Sequence, residues 1–427
     1  MGNSSPGRLT HRVRQLAALD IPGGGQIVVD GRYAYVGHMK PPFGTSIIDL
    51  SDKRNPRVVA EIRLDGNDSH THKVRVVGDL MITNVEQNDR HTKRRARNLP
   101  ATASALAREL GRPPSDAEIA VRLGTHEAEI EMLRRASLDD YTAGGFRVWD
   151  ISDRLRPREI SFRRTGGIGV HRFDADDRYA YISTEMEGFV GNILVVYDIA
   201  DPAHPQEVSR WWLPGQNVAA GEKPTWSGQK NRLHHAMRCG DELWAATWNA
   251  GFRVIDACDI TNLKTVGSHD YHPMVPEPTH TVMPFEQRIA GRRIAAAIDE
   301  EHDHVRGRLH AFMWFFDVTD LARIEPLSIF TVSELDSPFS GALGRFGAHQ
   351  FHEKLDSTLV YATWFSGGLR IVDARDPLHP EEVGFFIPEP LGGEPSPQSN
   401  DVAVDDAGII YLLDRNRGLH ILELDCL

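Results

Sequence analysis

The chain has 427 residues, of which 41% are hydrophobic and 25% charged, a composition typical of soluble globular proteins. Its formal net charge of −12 argues against a general affinity for nucleic acids, which calls for a basic surface. Three cysteines without paired spacing argue against a disulfide framework or a cysteine metal site. The N-terminal residues lack the apolar core of a signal peptide, and no apolar run approaches the roughly 18 residues of a membrane span. We therefore predict a cytoplasmic protein that does not enter a membrane.

The first predicted element is a strand at residues 11–19, where apolar and polar side chains alternate without a neighbouring partner strand. A four-stranded unit follows, with the strands QIVVDG, RYAYVGHM, TSIIDLSD and PRVVAEIRL. The short turns between them are typical of an antiparallel meander. Similar units recur about every 45 residues, which indicates a repeat architecture. The last unit supplies only the three strands NDVAVDD, GIIYLLDR and GLHILEL, so the strand at 11–19 can complete it.

The third strand of each unit carries a shared motif, an apolar β-branched run followed by Asp, two residues, Asp and often Pro. It reads LVVYDIADP at 194–202, RVIDACD at 253–259 and RIVDARDP at 370–377. Asp accepts backbone N–H groups and Pro fixes φ, so the motif ends in a turn. The motif resembles the repeat of the LVIVD-repeat β-propeller proteins, and the resemblance covers nearly the whole chain outside one insertion. We predict one all-β domain over residues 1–427, a seven-bladed β-propeller closed by its N-terminal strand.

An insertion at residues 87–143 interrupts the second unit and has a helical pattern. Ser115 and Glu118 form a capping-box signature. The stretch ELGRPPSDAEIAVRLG, at 109–124, is similar to the helix-turn-helix segment of bacterial sigma factors, and residues 90–97 before it are basic. The similarity implies a nucleic-acid contact. Because the whole chain is acidic, we predict instead a helical lid or a contact between subunits, through which the protein could form oligomers.

Histidine begins the first strand of five units at one position of the repeat. These residues are His72, His171, His235, His280 and His349. First strands line the channel of a propeller, so the imidazoles should meet at one mouth of that channel. Buried imidazoles need partners, and one metal ion can serve several of them. We predict that the five bind a transition-metal ion. Imidazole ligands suit iron or zinc, and manganese is kept as a third choice.

The ends of the second strands and the long loops should lie at the same mouth. Among them, Glu185 and Glu301 are the predicted acid–base residues. The predicted contacts to a small-molecule substrate are His234, His352, Trp248, Trp364 and Arg415. We also expect carboxylates to orient the ligand imidazoles through their second ring nitrogen.

These features favour a metal-dependent enzyme that acts on a small organic molecule. Histidines around a propeller axis resemble the iron site of carotenoid-cleaving oxygenases, which implies oxidoreductase chemistry. A metal-dependent hydrolase or lyase is the first alternative. A lyase without metal, as in some antibiotic-inactivating propellers, would leave most of the histidines unexplained. A non-enzymatic scaffold for protein binding is the remaining alternative, because fold does not fix function.

Overall fold

The protein is described by a computed structural model over residues 8–123, 125–136, 141–226, 230–302 and 304–425. Nearly all of its regular structure is β, and the strands follow one another along the chain as antiparallel neighbours. The strands of the N-terminal segment and the first two meanders are β1 Leu9–His11, β2 Val13–Pro22, β3 Gly24–Asp30, β4 Tyr33–His38, β5 Phe43–Asp49, β6 Arg57–Arg63, β7 Ser69–His70, β8 Val74–Val77, β9 Leu80–Gln87, β10 Gly145–Asp150 and β11 Arg158–Arg164.

Further meanders repeat the same order of four strands. Their strands are β12 Gly166–Ala175, β13 Tyr179–Glu185, β14 Asn192–Asp198, β15 Gln206–Trp211, β16 Asn231–Cys239, β17 Glu242–Trp248, β18 Phe252–Asp256, β19 Lys264–His269, β20 Thr279–Pro284, β21 Ile294–Asp299, β22 Met313–Asp317, β23 Glu325–Phe330, β24 Ala348–Phe351, β25 Leu359–Trp364, β26 Gly368–Asp373 and β27 Glu381–Ile387. The final three are β28 Ser399–Val404, β29 Ile409–Asp414 and β30 Arg417–Leu424.

The first strands of the meanders contact one another side by side. β3 lies against β8, β8 against β12, and the series continues through β16, β20, β24 and β28, which returns to β3. The core fills the space between successive meanders. One apolar cluster joins Tyr181 and Leu194 of one meander to Leu233, Ala236 and Leu243 of the next. The inner strands therefore surround a common axis, and side chains at their starts face one end of it.

The N-terminal segment pairs with the end of the chain. β2 runs antiparallel to β30, with Val13 opposite Leu424 and Leu19 opposite Leu419. The predicted pairing of an N-terminal strand with the last unit is present, over Val13–Pro22 rather than 11–19. A second short strand, β1, lies beside β27, with Leu9 opposite Ile387. The N-terminal segment is thus held by strand pairing to two neighbouring sheets.

Aspartates at the ends of third strands build a recurring turn. In each, a carboxylate accepts the backbone N–H two residues later. These pairs are Asp49 with Ser51, Asp150 with Ser152, Asp198 with Ala200, Asp256 with Cys258, Asp317 with Thr319 and Asp373 with Arg375, at 2.8–3.0 Å. This geometry is the reason for the repeated aspartate. The turns lie at the end of the strands opposite to the histidines.

Helices occupy the insertion between β9 and β10. They are α1 Arg90–Leu110, α2 Asp116–Leu123 and α3 Ile130–Arg135, with a 3-10 turn at Glu127–Glu129. The predicted capping box starts α2, since Ser115 N–H donates to Glu118 Oε2 at 2.8 Å and Glu118 N–H to Ser115 Oγ at 3.3 Å. The helices share an apolar cluster of their own, with Leu106, Ile119 and Leu133 buried. No helix in the described part of the chain is long and apolar enough to cross a membrane.

Candidate metal centre

The strands that begin the meanders contain a break in register, except β8. Between β12 and β13 the pairing skips His171, and between β20 and β21 it skips His280. A similar break in β24 skips His349, and another in β16 lies between Asn231 and His235. A β-bulge of this kind frees one residue from the alternation of the strand and re-aims its side chain. The bulges turn these histidines toward the end of the channel.

Five imidazoles form a continuous arc at this end of the channel. Their ring centroids are 5.4 Å apart between His72 and His171, 5.0 Å between His171 and His234, 4.1 Å between His234 and His280, and 4.3 Å between His280 and His349. All five line one cavity. The structure therefore brings together four of the five histidines predicted as ligands, with His234 as the fifth member of the arc.

The placement of His235 corrects the sequence analysis by one residue. Its ring lies in the next layer of the channel, where Nε2 is 3.5 Å from Glu353 Oε1. Arg172 and Gln350, each directly after an arc histidine, also contact Glu353. The triplet His234-His235-Ala236 matches His280-Thr281-Val282 in its order of histidine, polar and apolar residues. That comparison was the sequence signal for the correct register.

Four arc histidines have Nδ1 engaged by an oxygen atom. The Nδ1 contacts are His171 to Glu86 Oε1 at 3.1 Å, His234 to the His280 carbonyl at 2.7 Å, His280 to Thr281 Oγ1 at 2.9 Å, and His349 to the Asn400 carbonyl. Carbonyl and carboxylate oxygens accept only, so Nδ1 carries the proton. Thr281 donates its own hydrogen to Gln350 and is left as an acceptor. Each neutral ring therefore keeps a lone pair on Nε2, the arrangement found in metal-binding histidines.

Two of these lone pairs face each other. His171 Nε2 and His234 Nε2 are 3.1 Å apart, and neither carries a hydrogen when the ring is neutral. Burial lowers the pKa of His171 to about 4 and that of His234 well below its ordinary value, so near pH 7 neither ring supplies a bridging proton. A metal ion held by both nitrogens would remove this repulsion. The donor set thus fits a metal.

His72 differs from the other four in its tautomer. The Asn84 amide nitrogen lies 3.1 Å from His72 Nδ1 and donates to the Val170 carbonyl at 2.8 Å, while its oxygen accepts Lys73 N–H. The amide orientation is thereby fixed, and His72 Nδ1 accepts. The proton of a neutral His72 lies on Nε2, so this residue can donate a hydrogen bond at the cavity.

Two buried glutamates lie beside the arc, Glu86 on the Nδ1 side of His171 and Glu300 on the Nε2 side of His280 and His349. Glu86 contacts His171 and also His70 Nε2 at 3.1 Å, and it pairs with Arg90. Glu300 lies 3.9 Å from His280 Nε2 and 3.8 Å from His349 Nε2. Burial would raise the pKa of Glu86, but Arg90 and His171 outweigh it and hold that pKa well below the usual range. Both residues lie at the ends of second strands. For these two carboxylates the sequence predicted no more than a role in orienting the ligand imidazoles.

The predicted acid–base residues lie elsewhere. Glu301 turns away from the arc and accepts from His310 Nδ1 at 2.9 Å and His304 Nδ1 at 3.0 Å. It does so because consecutive residues of an extended chain point in opposite directions, and Glu300 takes the inward one. Glu185 accepts the Ile168 backbone N–H at 3.1 Å. Neither Glu185 nor Glu301 lines the cavity.

A family comparison agrees with the repeat seen in the sheets. The family profile described as the LVIVD repeat matches residues 24–62 and 175–211. The chain therefore contains LVIVD repeats in these two segments. No curated protein matches its sequence.

Several solved structures resemble this chain in fold. They include the crystal structure of a mitotic checkpoint complex, with a TM-score of 0.54 at 9% identity over 99% of this chain and 96% of that chain. The C-terminal WD40 domain of Sif2 has a TM-score of 0.54 at 9% identity, over 96% of this chain and 98% of that chain. Raptor of Chaetomium thermophilum has 0.57 at 10% identity, over 98% of this chain but 30% of that chain. WD40 domains are propellers, so this chain has a propeller-like fold. Identities this low show the fold alone.

The predicted substrate contacts lie in different parts of the structure. Trp248 and Arg415 line the cavity. Trp248 has a positive φ of 59°, a costly conformation for a residue other than glycine and one that clusters at functional sites. Its ring lies 5.0 Å from that of His234. His352 lies beyond the far end of β24, beside a groove at the opposite face. Trp364 is fully buried in the apolar core.

Three groups of side chains in the described residues have ligand atoms close enough to share a metal ion. They are His70, His72 and Glu86; His234, His280 and Glu300; and Glu301, His304 and His310. The first two groups include histidines of the arc and the third lies outside it. The second group joins two arc histidines to the carboxylate of Glu300.

Proposed function

We propose that this protein is a metal-dependent enzyme built on a seven-bladed β-propeller, with residues 1–427 as one domain and the helices as an insertion. The closed series of inner strands from β3 to β28 supports the blade count. The proposed ligands are the Nε2 atoms of His171, His234, His280 and His349.

The observation that carries the proposal is the approach of His171 Nε2 to His234 Nε2 at 3.1 Å. Both Nδ1 atoms donate to acceptors, so a change of tautomer that moves the proton to Nε2 would break a hydrogen bond. A buried polar atom without a partner costs roughly 1–3 kcal/mol, and here two such atoms oppose each other. Structural histidines would be expected to avoid this arrangement, whereas metal ligands require it.

Four neutral imidazoles suit iron or zinc, with manganese as a third choice. Bound iron would supply oxidative chemistry with dioxygen, and bound zinc would supply an activated water. We favour an oxygenase-like oxidoreductase over a hydrolase or lyase, because the arc holds more imidazoles than the three that a catalytic zinc ion needs. His72 Nε2–H would donate to an oxygen atom of the reacting group. Trp248 would form one wall against the substrate.

A non-enzymatic binding scaffold is the second candidate. Apolar side chains on the helical insertion favour it, since Val121 is 82% exposed and Met132 is 49% exposed. Exposed apolar groups can mark a contact with a partner or a second copy. This function needs no metal, and the same helices would serve as a lid in the enzymatic proposal.

Elemental analysis with an electron paramagnetic resonance spectrum distinguishes the two candidates. The protein, purified without chelator, should contain about one equivalent of a transition metal per chain. If the metal is ferrous iron with an open position, added nitric oxide should give an iron–nitrosyl signal. Less than about a tenth of an equivalent, with no uptake of added iron, zinc or manganese, would contradict the metal centre and favour the scaffold.

A further inference from the structure

The charged side chains that line the cavity at the histidine arc are mostly cationic. They are four arginines, Arg90, Arg232, Arg345 and Arg415, and one glutamate, Glu300, while burial lowers the pKa of the fifth basic lining residue, Lys73, well below its ordinary value. This excess of positive charge occurs in a chain whose net charge is −12. The metal ligands are neutral imidazoles, so the guanidinium groups are not needed to balance them. A local field of this sign favours anionic ligands.

Two of the arginines have carboxylate partners. Arg345 Nη1 donates to Glu300 Oε1 at 2.6 Å, and Arg90 pairs with Glu86. The Arg232 guanidinium lies 4.8 Å from the centre of the Trp248 ring. These contacts fix the positions of three guanidinium groups around the arc. The ion pairs of Arg345 and Arg90 also balance the charges of the two glutamates beside the arc.

Arg415 has no such partner among the described residues. Its Nη1 donates to Asn400 Oδ1 at 3.2 Å, a neutral oxygen, and no carboxylate of the described chain lies within ion-pair distance. Burial and the nearby Arg345 lower the pKa of Arg415 to about 10, so the group stays charged near pH 7. The Arg415 side chain is only partly buried, but it lies near the like charge of Arg345, and two like charges close together without a counter-charge are unfavourable. A bound anion would offset that cost.

We propose that the substrate is a small organic anion whose carboxylate or phosphate group binds Arg415 beside the metal. This proposal rests on the metal-dependent function proposed above and names the class of its substrate. Guanidinium groups bind both kinds of anion through paired N–H donors. The enclosed space is about 40 Å³, room for about three waters, which is the bulk of one such group. The remainder of the substrate would extend out of the mouth.

The test is calorimetric titration of the metal-loaded full-length protein with inorganic phosphate and with succinate, and with succinamide as the uncharged counterpart of succinate. The two anions should bind and succinamide should not. Arg415→Gln should weaken anion binding about 10- to 100-fold, the loss expected for hydrogen bonds to a charged group. Its metal content should match the wild type. Arg417→Gln is the control, because Arg417 pairs with Asp20 at the surface.

Equal anion affinity in Arg415→Gln and wild type would overturn the proposal, because the anion would then be held by the metal alone. Equal binding of succinate and succinamide by the wild type would also overturn it, and this result does not depend on the folding of any variant. Metal content of the same samples separates the two proposals. A wild type that holds metal but binds neither anion overturns only the substrate class, whereas one that holds no metal overturns the proposed function.

Discussion

Glu86 sets the orientation of His171. Its buried carboxylate lies 3.1 Å from His171 Nδ1, which places the lone pair on Nε2. Replacing the carboxylate by an amide removes the charge that favours this tautomer, so Glu86→Gln should lower metal affinity about 10- to 100-fold. A competition titration with a coloured chelator measures the change.

The control for this substitution is Glu187→Gln. Glu187 is exposed just after the end of β13, so its replacement should leave the affinity unchanged. Equal affinities for Glu86→Gln, Glu187→Gln and wild type would show that Glu86 does not act on a metal ligand.

At the residue scale, the sequence predicted that histidines of several strand starts lie together, but it did not give the register at every strand. The histidines repeat at one offset, and the structure brings His72, His171, His280 and His349 together as expected. The choice between His234 and His235, and between Glu300 and Glu301, depends on which residue a bulge or a strand end turns inward. A bulge is a backbone feature, and residue type alone does not reveal it when both neighbours can serve.

Removal of the N-terminal strand should destabilise the whole set of sheets. Val13 is buried against Leu369, Ile371 and Phe386. Deleting residues 1–20 exposes this apolar surface and the edge of β30, so the melting temperature should fall by at least about 5 °C. Differential scanning calorimetry measures the fall.

Point substitutions in the same strand refine this test. Val13→Ala should lower the free energy of unfolding by about 1–3 kcal/mol, as expected for a buried side chain. The adjacent Arg14→Ala, at an exposed position, should change it by less than about 0.5 kcal/mol. An unchanged melting temperature after the deletion would mean that the pairing with β30 does not stabilise the protein.

The helical insertion should be dispensable for the fold of the sheets. Its helices bury their own apolar cluster. Replacing residues 92–139 by a Gly-Ser linker retains Arg90 and Tyr141, whose hydroxyl lies 2.7 Å from Ser69 Oγ. The shortened protein should unfold cooperatively and keep its metal. Salt-sensitive binding of duplex DNA by the intact protein, lost on this replacement, would instead support a nucleic-acid contact.

At the element scale, the meanders were predictable because turns and apolar alternation recur in each unit. The direction of side chains at strand ends was harder to predict from the sequence. β24 runs away from the histidine end, so His352 emerges at the opposite face. Trp364 ends β25 at the correct face, but its ring enters the apolar core. Sequence position gives the end of a strand, whereas packing against the next meander decides where a large ring points.

The whole molecule should lose stability in mild acid. Burial lowers the pKa of His38, His352 and His420 from 6.5 to about 4 in the folded chain. Between these values the unfolded chain binds protons that the folded chain excludes, so stability is full above pH 6.5 and falls as the pH drops toward about 4. Each such histidine contributes a slope of about 1.4 kcal/mol per pH unit.

Urea unfolding at pH 7.5 and pH 5.5 measures this dependence. The midpoint should be lower at pH 5.5, and His420→Gln should show a smaller difference between the two values because one titrating group is absent. A midpoint that stays constant or rises on acidification would contradict the burial of these histidines as neutral rings.

The central claim is that one metal ion is held by imidazoles of the arc, with His234 and not His235 among its ligands. Metal content after dialysis against a chelator tests it most directly in wild type, His234→Ala and His235→Ala. We predict about one equivalent of metal per chain in wild type and His235→Ala, and less than about half an equivalent in His234→Ala. Loss of metal from His235→Ala with retention in His234→Ala, or equal retention in both variants, would contradict it.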